Sequence, residues 1–207
     1  MSIWGKIFAL GYDRFMAATE NAGLRTYRED LLRGAKGRVL EIGGGTGANL
    51  PFYGESVTEL VVAEPEEAMA RRLRLKLHGY RIPTTVISSP AEQLPVAAAT
   101  FDCVVATLVL CTVSDPGRAL AEVRRVLKER GQFLFIEHVR SGDPKLARWQ
   151  DRLRVPWAWF GNGCQCNRST VETIKSAGFS ISRLDCRDLP KAPPIVRPLA
   201  IGSATAG

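Results

Sequence analysis

Val39-Leu40-Glu41-Ile42-Gly43-Gly44-Gly45-Thr46-Gly47-Ala48-Asn49 is the stretch on which the reading of this chain turns. An apolar run with a carboxylate near its end passes straight into a cluster of glycines, the pattern of a buried strand entering a turn at a helix start. Glycine has no Cβ, so its backbone takes positive φ and lets a ligand approach closely.

Working outward, four more short apolar runs follow at Glu59–Ala63, Thr84–Ile87, Phe101–Thr107 and Gln132–Glu137. Their near-continuous apolar character suits parallel strands buried on both faces. Helical spacing lies between them, most clearly from Pro116 to Lys128, where Leu120, Val123, Val126 and Leu127 fall on one face and Gly131 follows the end. Two helical stretches, 3–20 and 24–34, precede the first strand. An aromatic insertion from Trp149 to Phe160, a helix over 168–177 and strands over 179–187 and 195–202 follow the fifth. The expectation is an α/β fold with a doubly wound, seven-stranded sheet. At roughly 100–200 residues per domain, residues 1–207 read as one domain. Its parts are an N-terminal helical lid (1–36), a cofactor-binding core (37–139) and the insertion, last helix and terminal strands (140–207).

Composition narrows the functional classes. With 45% hydrophobic and 24% charged residues the chain reads as a soluble globular protein. The 28 basic against 21 acidic residues leave a net charge of +7 that is spread along the chain. The densest run, Arg71 to Lys76, has helical spacing and reads as a solvated face, and no nucleic-acid motif accompanies it. Five cysteines are an odd count for a disulfide framework, so a reducing cytoplasm is the expected compartment. The stretch from Met1 to Tyr12 is far short of the ~18 apolar residues that a spanning helix needs. Ile3, Trp4, Ile7, Phe8 and Leu10 form one apolar helical face, which either caps the core or covers a lipophilic substrate or bilayer surface.

The glycine loop admits two ligands. Gly43-x-Gly45-x-x-Ala48, with Glu64 some way on, satisfies the loose dinucleotide fingerprint. Charge separates the cases. A pyrophosphate favours helix-terminus amides without a nearby carboxylate, whereas S-adenosylmethionine carries an ammonium and a sulfonium and no phosphate. Glu41, just before the loop, repels the first and suits the second. A purely structural reading, a tight turn with a solvated Glu41, stays open at this point.

The E-x-G-x-G-x-G pattern ending at Gly47 resembles the class I S-adenosylmethionine-dependent methyltransferases. The resemblance continues through Val61-Val62-Ala63-Glu64-Pro65, Ser89-Pro90-Ala91-Glu92, Phe101-Asp102-Cys103-Val104-Val105 and Glu122 to Gln132. It implies a Rossmann-like sheet and S-adenosylmethionine as cofactor. Glu41, Gly43, Gly45, Thr46, Gly47 and Asn49 would form the donor loop and Glu64 with Pro65 the ribose contact. Ala91 and Glu92 would stand beside the adenine, in a loop with Pro90 where an aspartate is common, with Thr107 and Leu108 next to the donor. Glu129 and Arg130 replace the usual proline and glycine, leaving the turn to form on Gly131.

The acceptor is read from the segments after the fourth and fifth strands. Thr107-Leu108-Val109-Leu110-Cys111-Thr112-Val113 is neutral and apolar and lacks an N-P-P-Y type motif. Glu137-His138-Val139 places one of only two histidines at a strand end, where it either removes a proton or merely hydrogen-bonds near the cleft. These segments, with Gly163-Cys164, Asn167-Arg168 and Ala177-Gly178-Phe179, look like the thiol S-methyltransferases allied to the animal membrane-associated alkyl-thiol methyltransferases. Those relatives begin with a hydrophobic anchor not seen here, which suggests a soluble counterpart. The resemblance implies a small lipophilic thiol as partner, His138 as catalytic base, and Tyr12, Val109, Cys111, Trp157 and Cys164 as acceptor contacts. Alternatives are a quinone carbon, a phospholipid nitrogen, a small-metabolite hydroxyl, a nucleotide-dependent oxidoreductase or a non-catalytic cofactor-binding module. Cys164-Gln165-Cys166 with only His78 and His138 elsewhere makes a poor metal site, and none is expected. Trp149, Trp157, Trp159 and Phe160 read as core packing or as a clamp on the acceptor.

Overall fold

A computed structural model describes residue 14 and residues 16–206; Tyr12 and most of the expected first helix lie outside these residues. The strands are β1 (Gly37–Ile42), β2 (Val57–Ala63), β3 (Thr84–Ile87), β4 (Phe101–Thr107), β5 (Leu127–His138), β6 (Phe179–Asp188) and β7 (Pro198–Ala206). The helices are α1 (Arg25–Leu32), α2 (Glu67–Lys76), α3 (Pro116–Val126), α4 (Pro144–Phe160) and α5 (Thr170–Ser176).

The strands form one sheet in the order β3-β2-β1-β4-β5-β7-β6. β1 to β5 run parallel, and β7 is antiparallel to both β5 and β6. This is the Rossmann-like arrangement of the class I methyltransferases. Successive side chains on a strand point to opposite faces, so Val39 and Val105 join one core layer and Leu40 and Val104 the other. Fully buried Leu and Phe residues in these layers contribute roughly 1.5–3 kcal/mol each, which is what fixes the strand register. Ile42 pairs with both Ala63 and Ala106, so the loops leaving β1, β2 and β4 emerge level with one another. The strand order reverses beside β1, where open α/β sheets bind ligands at the carboxyl ends.

Three elements differ from the sequence reading. Helix α3 stops at Val126 and β5 begins at once, because Leu127 is already extended. The left-handed residue of that bend is Arg130 (φ 63°), not Gly131. The last strand is Pro198–Ala206 rather than 195–202, since Pro194–Val196 forms a 3-10 turn that tucks Ile195 and Val196 into the core. The aromatic insertion is a continuous helix, α4, capped by Asp143, whose side chain accepts the Lys145 N–H at 2.9 Å. Of its aromatics Trp157 packs against the core and the others do not. Ala147 and Gln150 face inward, while Trp149 and Trp159 are 54% and 71% exposed.

Candidate active site

A cavity of about 890 Å³ opens at the carboxyl ends of the parallel strands. Its donor side is formed by Gly43, Gly45, Glu64, Pro65, Ala91 and Glu92, and its other side by Leu108, Val109, Cys111, His138, Trp157 and Cys164. Twelve residues expected at the site from sequence are thus brought to one chamber. Met16 and Thr19, at the described end of the expected lid, line it as well.

The glycine loop is built for close approach. Gly45 (φ 54°) has nothing within 4 Å of where a Cβ would stand, so its backbone is open on the side a ligand takes. Gly43 (φ 61°) would drive a Cβ to 2.5 Å from the Val109 side chain, so that side chain can close over the loop only if residue 43 is glycine.

Glu64 ends β2 with its carboxylate pinned, Oε2 accepting the Gly45 N–H at 2.8 Å and Oε1 the Glu66 N–H at 2.9 Å. Burial raises its pKa above the usual carboxylate range. Glu66, which sequence reasoning passed over, has a buried Oε1 without a hydrogen-bond partner at the same wall. Among the described residues, the cavity lining carries three glutamates, Glu64, Glu66 and Glu92, against one lysine, Lys191. That balance suits a cationic sulfonium ligand with a ribose diol and opposes a pyrophosphate. The residues present therefore fit S-adenosylmethionine, with Gly43, Gly45, Glu64 and Glu66 as the groups that would hold it.

Of the other residues expected to hold the donor, Glu41, Thr46, Gly47, Asn49 and Thr107 are not among those lining the cavity. Glu41 is 2% exposed and lies behind the loop. Its Oε1 accepts from Asn49 Nδ2 at 2.9 Å and its Oε2 from the Tyr53 hydroxyl at 2.7 Å. Arg28 completes this buried network, with Nη1 2.8 Å from both Asn49 Oδ1 and Thr107 Oγ1 and Nε 3.0 Å from Glu20 Oε1. Desolvation pushes the Glu41 pKa up to about 7 against these hydrogen bonds. The network holds the glycine loop, the end of β4 and the helix before α1 together, so these residues position the donor loop from behind. Arg28 was legible in one respect, since it occupies the apolar helix face between Leu24 and Leu31.

At the other end, Leu108 takes φ 61° where β4 ends, a conformation that costs a non-glycine residue about 1–2 kcal/mol. The loop after it hangs from Glu137, which accepts the N–H groups of Val109, Leu110 and Cys111 at 3.0, 2.9 and 3.3 Å. Arg168 holds it from outside, donating to the carbonyls of Leu110 and Val113 at 2.5 and 2.8 Å. Burial raises the Glu137 pKa to about 7.

His138 lines the cavity with Nδ1 buried and unpartnered. Burial lowers its pKa to about 4, opposed by a hydrogen bond to the Val196 backbone, so the ring is neutral at pH 7. Cys111 and Cys164 lie side by side at the cavity wall, the Gln165 N–H donating to the Cys111 carbonyl at 2.7 Å. Cys166 turns away, its thiol directed at the Gln150 carbonyl at 3.9 Å. Among the described residues no cluster of His, Cys, Asp or Glu could hold a metal ion. No helix among them is long and apolar enough to cross a membrane.

Residues 40–135 match the methyltransferase domain family. Human thiol S-methyltransferase TMT1B is 34% identical over 176 residues, covering 83% of this chain and 70% of the relative. Human thiol S-methyltransferase TMT1A is 32% identical over 202 residues, covering 95% and 82%. A phosphatidylethanolamine N-methyltransferase from Cereibacter sphaeroides is 32% identical over 140 residues, covering 67% and 68%. Among solved structures, an S-adenosylmethionine-dependent methyltransferase from Thermotoga maritima superposes with a TM-score of 0.71 over 98% of both chains at 24% identity, which supports the fold. With the glycine loop, the glutamate wall and the strand order, these likenesses place the chain among the class I S-adenosylmethionine-dependent methyltransferases, in one family with the thiol S-methyltransferases TMT1A and TMT1B.

Proposed function

We propose that this methyltransferase acts on the sulfur of a small apolar thiol held between the 108–113 loop, His138 and Trp157. The observation that carries this is a neutral His138 with an unpaired Nδ1 in a cavity it lines together with Leu108, Val109 and Trp157. S-adenosylmethionine supplies an electrophilic methyl group on a sulfonium. Displacement there depends on proximity and alignment, with a base needed only to receive the acceptor's proton.

His138 Nδ1 accepts the S–H of the bound thiol and takes its proton as the sulfur commits its electron pair. A free thiol with a pKa near 8.5 would not yield its proton to so weak a base, but the S–H becomes strongly acidic as the sulfur is alkylated. A base with a pKa of about 4 is then sufficient. Beside the 108–113 loop, Glu137 has its oxygens committed to three backbone amides and is not free to bind an ammonium. Val109, Trp157 and Phe160 keep water from the acceptor.

The test is incubation of the protein and S-adenosylmethionine with alkyl and aryl thiols, quinols, amines and phosphatidylethanolamine, with the products identified by mass spectrometry. S-methylated products alone support the reading. Methylation only at carbon, nitrogen or oxygen would leave the methyltransferase and remove the thiol.

A further inference from the structure

Cys111 and Cys164 come from distant parts of the chain, the loop after β4 and the turn after α4, yet meet at the wall of the cavity. Their backbones run side by side, the Gln165 N–H donating to the Cys111 carbonyl at 2.7 Å. Both side chains belong to the same buried cluster and line the same cavity, and they are 1% and 7% exposed. Cys166, two residues further on, directs its thiol at the Gln150 carbonyl instead. Methyl transfer as derived above uses neither sulfur.

We propose that Cys111 and Cys164 are a thiol–disulfide exchange pair, through which the cavity reduces disulfides of small apolar thiols while its own two cysteines become a disulfide. Cys164 attacks first. The neighbouring Cys111 thiol lowers its pKa, the Trp157 indole and Arg168 assist, and burial and Glu137 oppose. The Cys111 thiol is pushed well up by Cys164 and by burial, which keeps it protonated until needed. The Cys164 thiolate forms a bond to one sulfur of the incoming disulfide, whose S–S bond breaks and whose second sulfur leaves as a thiolate and takes a proton. Cys111 then loses its proton and attacks the Cys164 sulfur, which releases the remaining thiol. One disulfide and two cysteine thiols give two free thiols and one intramolecular disulfide, so the probe's two sulfurs are reduced and the two cysteines oxidised. Only the fate of the freed thiol, as methyl acceptor in the same chamber, rests on the proposed thiol specificity; the exchange itself does not.

The probe is 2,2′-dipyridyl disulfide, which is neutral and apolar and releases a thiopyridone that absorbs light. The exposed Cys186, away from the cavity, is first replaced by Cys186→Ser. Folded protein of this background, without methyl donor, is expected to release two equivalents and lose two mass units, with a cross-link between peptides holding positions 111 and 164. Adding Cys111→Ser should stop the reaction at one equivalent with a stable mixed disulfide on Cys164, and adding Cys164→Ser should abolish release. No release from the folded Cys186→Ser protein, or mixed disulfides on both cysteines without the cross-link, would overturn the proposal. Because these readouts need no methyl transfer, they are independent of the acceptor reading. The cross-link is measured with both cavity cysteines intact, so the outcome survives a failure of either serine variant to fold.

Discussion

Glu137 and Arg168 grip the loop between β4 and α3 from opposite sides, the carboxylate accepting the Val109 N–H at 3.0 Å and the guanidinium donating to the Val113 carbonyl at 2.8 Å. This part of the cavity wall therefore owes its shape to two side chains that do not line the cavity. Glu137→Ala strands three buried amides. Each unsatisfied donor costs about 1–3 kcal/mol, so a loss of about 3 kcal/mol or more in denaturant unfolding is expected, with Glu137→Gln falling between it and the wild type.

On the donor side, Glu64 lines the cavity and is the carboxylate proposed to hold the ribose diol. A hydrogen bond to a charged group is worth about 1.5–3 kcal/mol, and about 1.4 kcal/mol is tenfold in affinity. Glu64→Ala should weaken S-adenosylmethionine binding by roughly tenfold to a hundredfold, read by calorimetric titration. Unchanged affinity would remove the ribose assignment.

His138 links stability to pH with a defined sign. Its pKa falls from 6.5 to about 4 on folding, so the unfolded chain binds the proton first and the fold loses stability as pH drops from 6.5 through 4. At about 1.4 kcal/mol per unit, the wild type should lose about 3 kcal/mol over this window relative to His138→Gln. Comparing the two by urea unfolding cancels the raised carboxyls Glu41 and Glu137, which act in the opposite direction: their contribution is full below 4.5 and is lost as pH rises toward 7.

Arg130 occupies φ 63° at the start of β5, where the family pattern has glycine. Arg130→Gly should relieve about 1 kcal/mol of backbone strain, seen as a higher unfolding midpoint with donor binding unchanged.

The apolar runs carried the sheet because strands buried on both faces leave an unmistakable pattern, and the glycine loop located the donor side. Where the chemistry depends on burial, the chain alone was less informative. Glu41 sits in the motif, but whether its carboxylate faces a ligand or Asn49 and Tyr53 is decided by three-dimensional packing. The Cys111–Cys164 contact joins segments that only the position of α4 brings together. Gln150, fully buried within an aromatic-rich helix, donates from Nε2 to the Cys166 and Ile195 carbonyls at 2.9 Å, and nothing in its spacing marked it. Trp149 and Trp159, which read as core packing or as a clamp, are exposed, because apolar composition does not reveal which face of a helix meets the sheet.

The central claim is best tested with a matched pair of acceptors, an aryl thiol and the phenol of the same shape, by following S-adenosylhomocysteine release from the wild type and from His138→Ala. Turnover is expected with the thiol and none with the phenol, and a lower kcat with unchanged donor affinity in the variant. Equal or faster methylation of the phenol, or full thiol turnover without the imidazole, would contradict it.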